Sequence, residues 1–290
     1  MRSQTTPRPP RPALKWVAVA VAAAGLAGCS AQAQRGFLPG SSSAEVTNQT
    51  GRISHLWVGS WTAALIVGII VWGLILWCVA VYRKRKSDET LPVQLRYHVP
   101  LEVMYVVLPI LMVGVLFYYT ARDTAAINDT SAKPDRTIQV VGKQWSWDFN
   151  YLDDGVYDTG QQARNVGTHG VLAEQVTLYL PVNERVEFVL NSRDVIHSFW
   201  VPEFLYKRDL IPGRTSSFQI VPQQIGEYRG KCAELCGEEH SSMLFNVKVV
   251  TRGDYDAHMQ ALRASGQTGA LGLGYSRLQD LNSVTPGTGK

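Results

Sequence analysis

Apolar positions are unevenly distributed along this chain, and their runs define its organisation. From Leu56 to Tyr82 no charged residue occurs. A bilayer needs roughly 20 apolar residues to be crossed, so this run predicts a spanning helix over about 56–82. Trp57, Trp61, Trp72, Trp77 and Tyr82 supply aromatics suited to the two interfaces. A second apolar run, Val103 to Ala121, predicts a return helix over about 100–121, with Pro109 tolerated inside it as membrane spans allow. Arg83-Lys84-Arg85-Lys86 and Arg96 make the connecting loop 83–98 basic, and basic loops stay in the cytoplasm. Segment 55–122 therefore reads as a transmembrane hairpin that leaves both mature termini outside.

Beyond a polar connector at 123–136 the pattern changes to short β-branched and aromatic runs punctuated by Pro, Gly and Asn. Thr137 to Val141, Gln175 to Leu180, Arg185 to Leu190, Ser216 to Val221, Glu227 to Lys231 and Leu244 to Val250 are the expected strands. With no helices between them, they predict an all-β sandwich or barrel over 137–255. Gln144 to Tyr151 alternates polar and aromatic residues, so Trp145, Trp147, Phe149 and Tyr151 share one face. The last three read as core, while Trp145 at the strand's end can reach the surface, where an indole can pass electrons or anchor a partner. Asp153 to Gly170 reads as a loop with a solvated His169. Gly253 to Arg263 reads as a short helix presenting Tyr255, Met259 and Leu262 on one face. The tail from Ser265 to Lys290, within a final segment 256–290, reads as disordered.

The N-terminal 28 residues have the form of an export signal. Arg2, Arg8, Arg11 and Lys15 precede an apolar stretch from Trp16 to Leu26, and Leu26-Ala27-Gly28-Cys29 offers a small-residue cleavage site. Cleavage before a cysteine resembles the bacterial lipoprotein signal, which implies a lipid-bearing Cys29. A plain signal peptide or an uncleaved anchor are the other readings. The polar stretch that follows is expected to be an extracytoplasmic linker over 29–54.

Composition narrows the function classes. The 290 residues carry a formal charge of +4 without a basic block, which argues against nucleic acid as a partner. Of four cysteines, Cys29 and Cys78 sit in the signal and in an apolar run, so only Cys232 and Cys236 are left for chemistry.

Cys232-Ala233-Glu234-Leu235-Cys236-Gly237-Glu238-Glu239-His240-Ser241-Ser242-Met243 gathers two thiols, an imidazole and a thioether. Soft sulfur mixed with nitrogen favours copper, and the second thiol exceeds what a single electron-transfer copper uses. Two bridging sulfurs could hold two copper ions, given one more histidine. A disulfide, or structural zinc with a fourth ligand, are the competing readings. His197 is the best candidate for the missing imidazole, between a strand and a Pro-containing turn. Glu102, at the start of the second apolar run, is either a helix-dipole partner or a proton-pathway group.

Asp194-Val195-Ile196-His197-Ser198-Phe199-Trp200-Val201-Pro202, Ile211-Pro212-Gly213-Arg214 and the Cys232 loop resemble the subunit II family of haem-copper cytochrome c oxidases. Gly142-Lys143-Gln144-Trp145-Ser146-Trp147 and Glu102 to Pro109 are similar to the same family, and the similarity spans about residues 50–255. The resemblance implies a cupredoxin-like domain with a binuclear copper centre, CuA, bridged by Cys232 and Cys236. His197 and Met243 would complete one copper, and His240 and the Glu234 carbonyl the other. The Glu234 side chain would help hold Mg²⁺ at the boundary with subunit 1. Trp145 would receive electrons from cytochrome c, free or as a domain of a supercomplex. Glu102 would stand at the mouth of a proton pathway. The implied setting is the bacterial cell membrane, with the copper domain outside, in an aa3-type proton-pumping oxidase with subunits 1 and 3.

Ser146 and Asn150 depart from the family's pattern, leaving Asp148, Asp153 and Asp154 as carboxylates that could attract a basic donor. A subunit feeding a nitric oxide reductase, or a membrane-anchored copper carrier, are the alternative functions.

Overall fold

The computed structural model describes residues 30–39, 45–84, 94–163 and 175–273. The expected signal with Cys29, part of the basic loop (85–93), His169 and the tail from 274 lie outside the described residues.

The stretch expected to be a plain linker has structure at both ends. Helix α1, Ala31–Gln34, is capped by the Ser30 hydroxyl, which accepts from the Ala33 amide at 3.1 Å. Beyond it, the Trp57 indole donates to the Gly36 carbonyl at 2.8 Å. Val46 and Thr47 are buried, and Thr47 bridges to Pro222. The Asn48 amide group explains the docking: its backbone N–H donates to the Val221 carbonyl (3.0 Å) while its side chain accepts from the Val221 N–H (2.8 Å).

Helices α2, Thr50–Val81, and α3, Val99–Ile127, are each long and apolar enough to cross a membrane. At 1.5 Å per residue both exceed the roughly 30 Å apolar thickness, so each runs past the apolar stretch that predicts it. The ends nearest the sandwich are paired with each other. Arg52 of α2 and Arg122 of α3 both bind the Asp123 carboxylate, at 3.0 and 2.9 Å. At its other end α3 opens with a reciprocal cap: His98 Nδ1 accepts from the Leu101 N–H, and Glu102 Oε1 accepts from the His98 N–H.

Ten strands follow: β1 Arg136–Lys143, β2 Ser146–Tyr151, β3 Val156–Thr159, β4 Thr177–Pro181, β5 Val186–Ser192, β6 His197–Val201, β7 Tyr206–Leu210, β8 Ser216–Ile220, β9 Gly226–Cys232 and β10 Leu244–Val250. They form two five-stranded sheets, ordered β3-β2-β1-β5-β8 and β4-β10-β9-β6-β7. Pairs β1/β5 and β4/β10 are parallel and the rest antiparallel. The expected membrane hairpin followed by an all-β sandwich is the architecture observed. Between the sheets, Trp147, Phe149, Phe199 and Phe245 interlock, with Phe199 and Phe245 rings 5.0 Å apart. Trp147, Phe149 and Tyr151 are buried core residues, as their alternation predicts.

Three strands depart from the expectation. β3 lies inside the stretch read as loop; it is four residues long, turns in at Gly155 and earns its place by burying Val156. β6 and β7 form an antiparallel pair where only a loop and turn were expected, so His197 sits on a strand. The segment after helix α4, Arg252–Ala264, is the last correction. Instead of being disordered from Ser265, the chain packs as far as Leu271, whose N–H and C=O are both held by the Asn150 side chain at 2.9 and 3.1 Å. That explains why Asn150, on the polar face of β2, is buried. Helix α4 itself buries Tyr255, Met259 and Leu262.

Candidate metal centre

The loop between β9 and β10 and the start of β6 bring every proposed donor to one end of the sandwich. Cys232 closes β9 opposite Phe199 of β6, so His197, two residues before Phe199 on the same face, points at the same place. Cys232 Sγ is 3.8 Å from His197 Nδ1 and 3.8 Å from Cys236 Sγ. Cys236 Sγ lies 3.4 Å from His240 Nδ1 and 3.8 Å from Met243 Sδ. The Glu234 carbonyl oxygen is 3.2 Å from Cys232 Sγ. The donor atoms of His197, Cys232 and Cys236 all fall within 4.8 Å of one another, and all three residues are buried.

This geometry separates the readings left open by the loop's composition. Both thiols are free, at a separation nearly twice the roughly 2.05 Å of a disulfide bond. Two sulfurs with an imidazole and a thioether directed at them form a soft set suited to copper, and the Met243 thioether has no place in a structural zinc site. The residues fit copper as the resemblance implies.

Charge is tuned by crowding. The Cys236 thiol beside it holds Cys232 far down, at about 3, with further help from the His197 ring and from backbone contacts at Glu234 and Ser198. Cys236 is pushed up by that same neighbour and by burial. Burial opposes a charge on His197, but the Asp194 carboxylate and the Cys232 sulfur outweigh it and raise the ring. A thiolate at Cys232 thus sits beside a thiol at Cys236 and a raised imidazole at His197, whose protons a bound cation would displace.

A second ring of residues fixes the donors. Asp194 Oδ1 meets His197 Nε2 at 2.7 Å, which turns Nδ1 toward the sulfurs, and Asp194 Oδ2 accepts the Gln144 N–H at 2.6 Å. The Gln144 side chain and the Trp145 indole both donate to the Cys236 carbonyl, at 2.8 and 3.2 Å. The Trp147 indole donates to the Met243 carbonyl at 3.3 Å. Gly142 is required by closeness: a Cβ there would lie 2.8 Å from His197 Cδ2. Sequence reasoning passed over Gly142 and Gln144 as donor supports. The available signal was their place in the Gly142-Lys143-Gln144-Trp145 run that leads into the aromatic strand β2.

The remaining expected residues separate. Trp145 is half-buried against the copper loop, and a Cβ at Gly237 would touch its ring at 3.0 Å. The Glu234 side chain is exposed, and no other carboxylate or imidazole joins it in a metal cluster among the described residues. Glu102 lies at the far end of α3 and is engaged in its cap. The carboxylates offered for a basic donor are corrected. Asp148 is fully buried between Lys143 (2.6 Å) and Arg193 (2.9 Å). Asp153 and Asp154 lie beyond the opposite end of β2 from Trp145, and Asp154 accepts from the Tyr255 hydroxyl. The exposed Glu238 in the copper loop is closer to that indole in the chain's fold, next to Gly237.

Residues 136–250 match the family described as cytochrome C oxidase subunit II, periplasmic domain. A Streptomyces avermitilis protein named probable cytochrome c oxidase subunit 2 is 46% identical over 260 residues, covering 80% of this chain and 82% of that relative. The Mycobacterium tuberculosis cytochrome c oxidase subunit 2 is 36% identical over 267 residues, covering 76% of this chain and 73% of its own length. Among solved structures, the periplasmic domain of subunit II of cytochrome oxidase of Bradyrhizobium japonicum is 29% identical and covers 46% of this chain and 97% of that one, with a TM-score of 0.41.

Proposed function

This chain belongs to the cytochrome c oxidase subunit II family, and on that premise we propose that it is the electron-accepting subunit of an aa3-type oxidase. In this reading Cys232, Cys236, His197, His240, Met243 and the Glu234 carbonyl would hold a binuclear CuA pair. The observation that carries it is the convergence of those donors, drawn from His197 and the loop 232–243, onto two unbridged thiols. When bound, the copper pair supplies one-electron transfer between a cytochrome c donor and haem in subunit 1, where oxygen is reduced and protons are pumped.

The chain's own residues prepare that transfer. Buried donors held from outside by Asp194, Gln144 and Trp147 keep one arrangement in both redox states, which keeps reorganisation small. Trp145, hydrogen-bonded to the Cys236 carbonyl, offers the donor a path one residue contact from a sulfur ligand. Glu102 serves as the mouth of a proton pathway completed by subunit 1, at the end of the helix where its side chain accepts from the His98 N–H. The exposed Glu234 side chain contributes to Mg²⁺ at the subunit 1 boundary, and subunit 3 completes the assembly.

The basic loop 83–98 orients the hairpin with the copper domain outside the bacterial cell membrane. Removal of residues 1–28 and lipidation of Cys29 complete the mature chain. Electron paramagnetic resonance of the copper-loaded protein tests the proposal: hyperfine structure from two equivalent copper nuclei is expected, and a single-copper pattern overturns it.

A further inference from the structure

Both membrane helices are fastened to the same corner of the β-sandwich. That corner is formed by β7 and β8, the edge strands of the two sheets, which are consecutive in the chain and are joined through Ser216, whose hydroxyl donates to the Asp209 carbonyl. From the N-terminal side, residues 46–48 pair with Val221, Pro222 and Gln223 just past β8. From the other side, the buried Gln219 of β8 donates its amide to the Thr130 and Ala132 carbonyls of the connector, at 3.3 and 3.0 Å. Asn128, the C-terminal cap of α3, reaches β7: its Oδ1 accepts from the Tyr206 hydroxyl and from Arg208 Nη1, both at 3.1 Å. Below these contacts, Arg52 and Asp123 lock the two helix ends to each other.

The connector alone would not hold the domain still. From Asn128 to Arg136 it could span roughly 25 Å if extended, enough for the sandwich to tilt or lift freely over the membrane. The polar contacts remove that freedom and lead by a short route to the metal donors. β7 pairs with β6, opposing Arg208 to Phe199 and Leu210 to His197. Electron tunnelling falls exponentially with distance, so any tilt of the sandwich alters the gap between its copper end and an acceptor fixed in a partner subunit.

We infer that Asn128 and Gln219 are positioning residues for electron transfer, setting the copper end of the sandwich over the membrane hairpin without touching the metal or its ligands. The inference rests on the copper-relay reading above. It predicts that loosening the corner slows the step out of the copper centre while leaving the centre and the docking of the electron donor alone.

The test uses the full-length chain in its assembled oxidase, with Asn128→Ala, Gln219→Leu and the conservative Asn128→Asp, which keeps an acceptor for Tyr206 and Arg208. Three quantities are measured: the copper resonance spectrum, the KM for the electron donor, and the single-turnover rate at which reduced copper is reoxidised by haem. The expected result is an unchanged spectrum and KM in all variants. Reoxidation falls several-fold in Asn128→Ala and Gln219→Leu and recovers in Asn128→Asp. Unchanged reoxidation rates overturn the inference, as does a copper spectrum altered by Asn128→Ala, because the contact would then act on the site itself. Failure of the underlying reading is seen separately, as the lack of a two-copper spectrum in the unmutated protein.

Discussion

Replacing Gly142 with alanine is the sharpest probe of how the metal donors are held. Gly142 lies in the middle of sheet pairing, opposite Trp147 on one side and Ser192 on the other, with no left-handed backbone demand, so alanine brings only a methyl group. That methyl would stand 2.8 Å from His197 Cδ2, 3.0 Å from Cγ and 3.1 Å from Cβ. Carbon contacts settle near 3.5 Å, so the imidazole must retreat by more than half an ångström. It has nowhere easy to go: the ring is fully buried and tied to Asp194 at 2.7 Å. Metal–nitrogen bonds tolerate shifts of about 0.2 Å, so Gly142→Ala should unbalance the two halves of the copper site.

Two assays read this out. The resonance spectrum should lose the equivalence of its two copper nuclei. The metal-free protein should lose about 1–3 kcal/mol from overpacking, seen as a melting temperature several degrees lower. An unaltered spectrum with an unaltered melt would refute the argument that His197 is fixed by closeness to the β1 backbone.

Trp145→Phe removes the indole donor to the Cys236 carbonyl but leaves the Gln144 bond to that atom; electron uptake from cytochrome c should fall on the order of tenfold or more, about 1.4 kcal/mol of barrier, with the copper spectrum kept. Asn150→Ala strips both bonds from Leu271 and the bond to Gln139; it should cost about 1–3 kcal/mol in denaturant unfolding and raise hydrogen exchange over 267–271. Burial, aided by Lys248, pushes the His258 ring down to about 4, below its unfolded value near 6.5. The folded state therefore prefers the neutral ring, so this contribution is intact above pH 6.5 and lost as pH falls toward 4. Because the ring is partly exposed, the loss is on the order of 1 kcal/mol; His258→Phe, which keeps the stack on Tyr179, should flatten stability over that window in urea titrations.

What the sequence made legible was whatever is written in contiguous residues. The two helices follow from uninterrupted apolar runs, and the copper loop from four donor side chains within twelve positions. The core aromatics of β2 follow from strict alternation. What escaped was written across distance. β3, β6 and β7 are four or five residues long, too short for alternation to mark them, and β6 takes its place in the sheet by pairing with the distant β9, Phe199 opposite Cys232. The burial of Asp148 depends on Lys143 and Arg193 closing over it, so a carboxylate that reads as a surface charge is an internal ion pair. Residues 265–271 have a composition that reads as disordered, yet one buried asparagine supplies them with strand-like pairing.

The same distinction explains why the donors are recognisable while their supports are not. Ligand atoms must be sulfur or imidazole, so the chemistry narrows the residue type; a support needs only a hydrogen bond at the right place, which many residues can make. Gln144 reaches Cys236 across 92 positions, and Asp194 meets Gln144 across 50. One cluster of polar contacts thereby ties β1, the His197 turn and the Cys236 loop together, with Trp145 as part of the tie. The residue proposed to receive electrons is thus one of those that hold the sulfur-bearing loop in place. Geometry at the metal and the place of the indole are linked here: shifting Trp145 gives up one of the two hydrogen bonds on the Cys236 carbonyl, and moving that loop gives up the indole's own anchor.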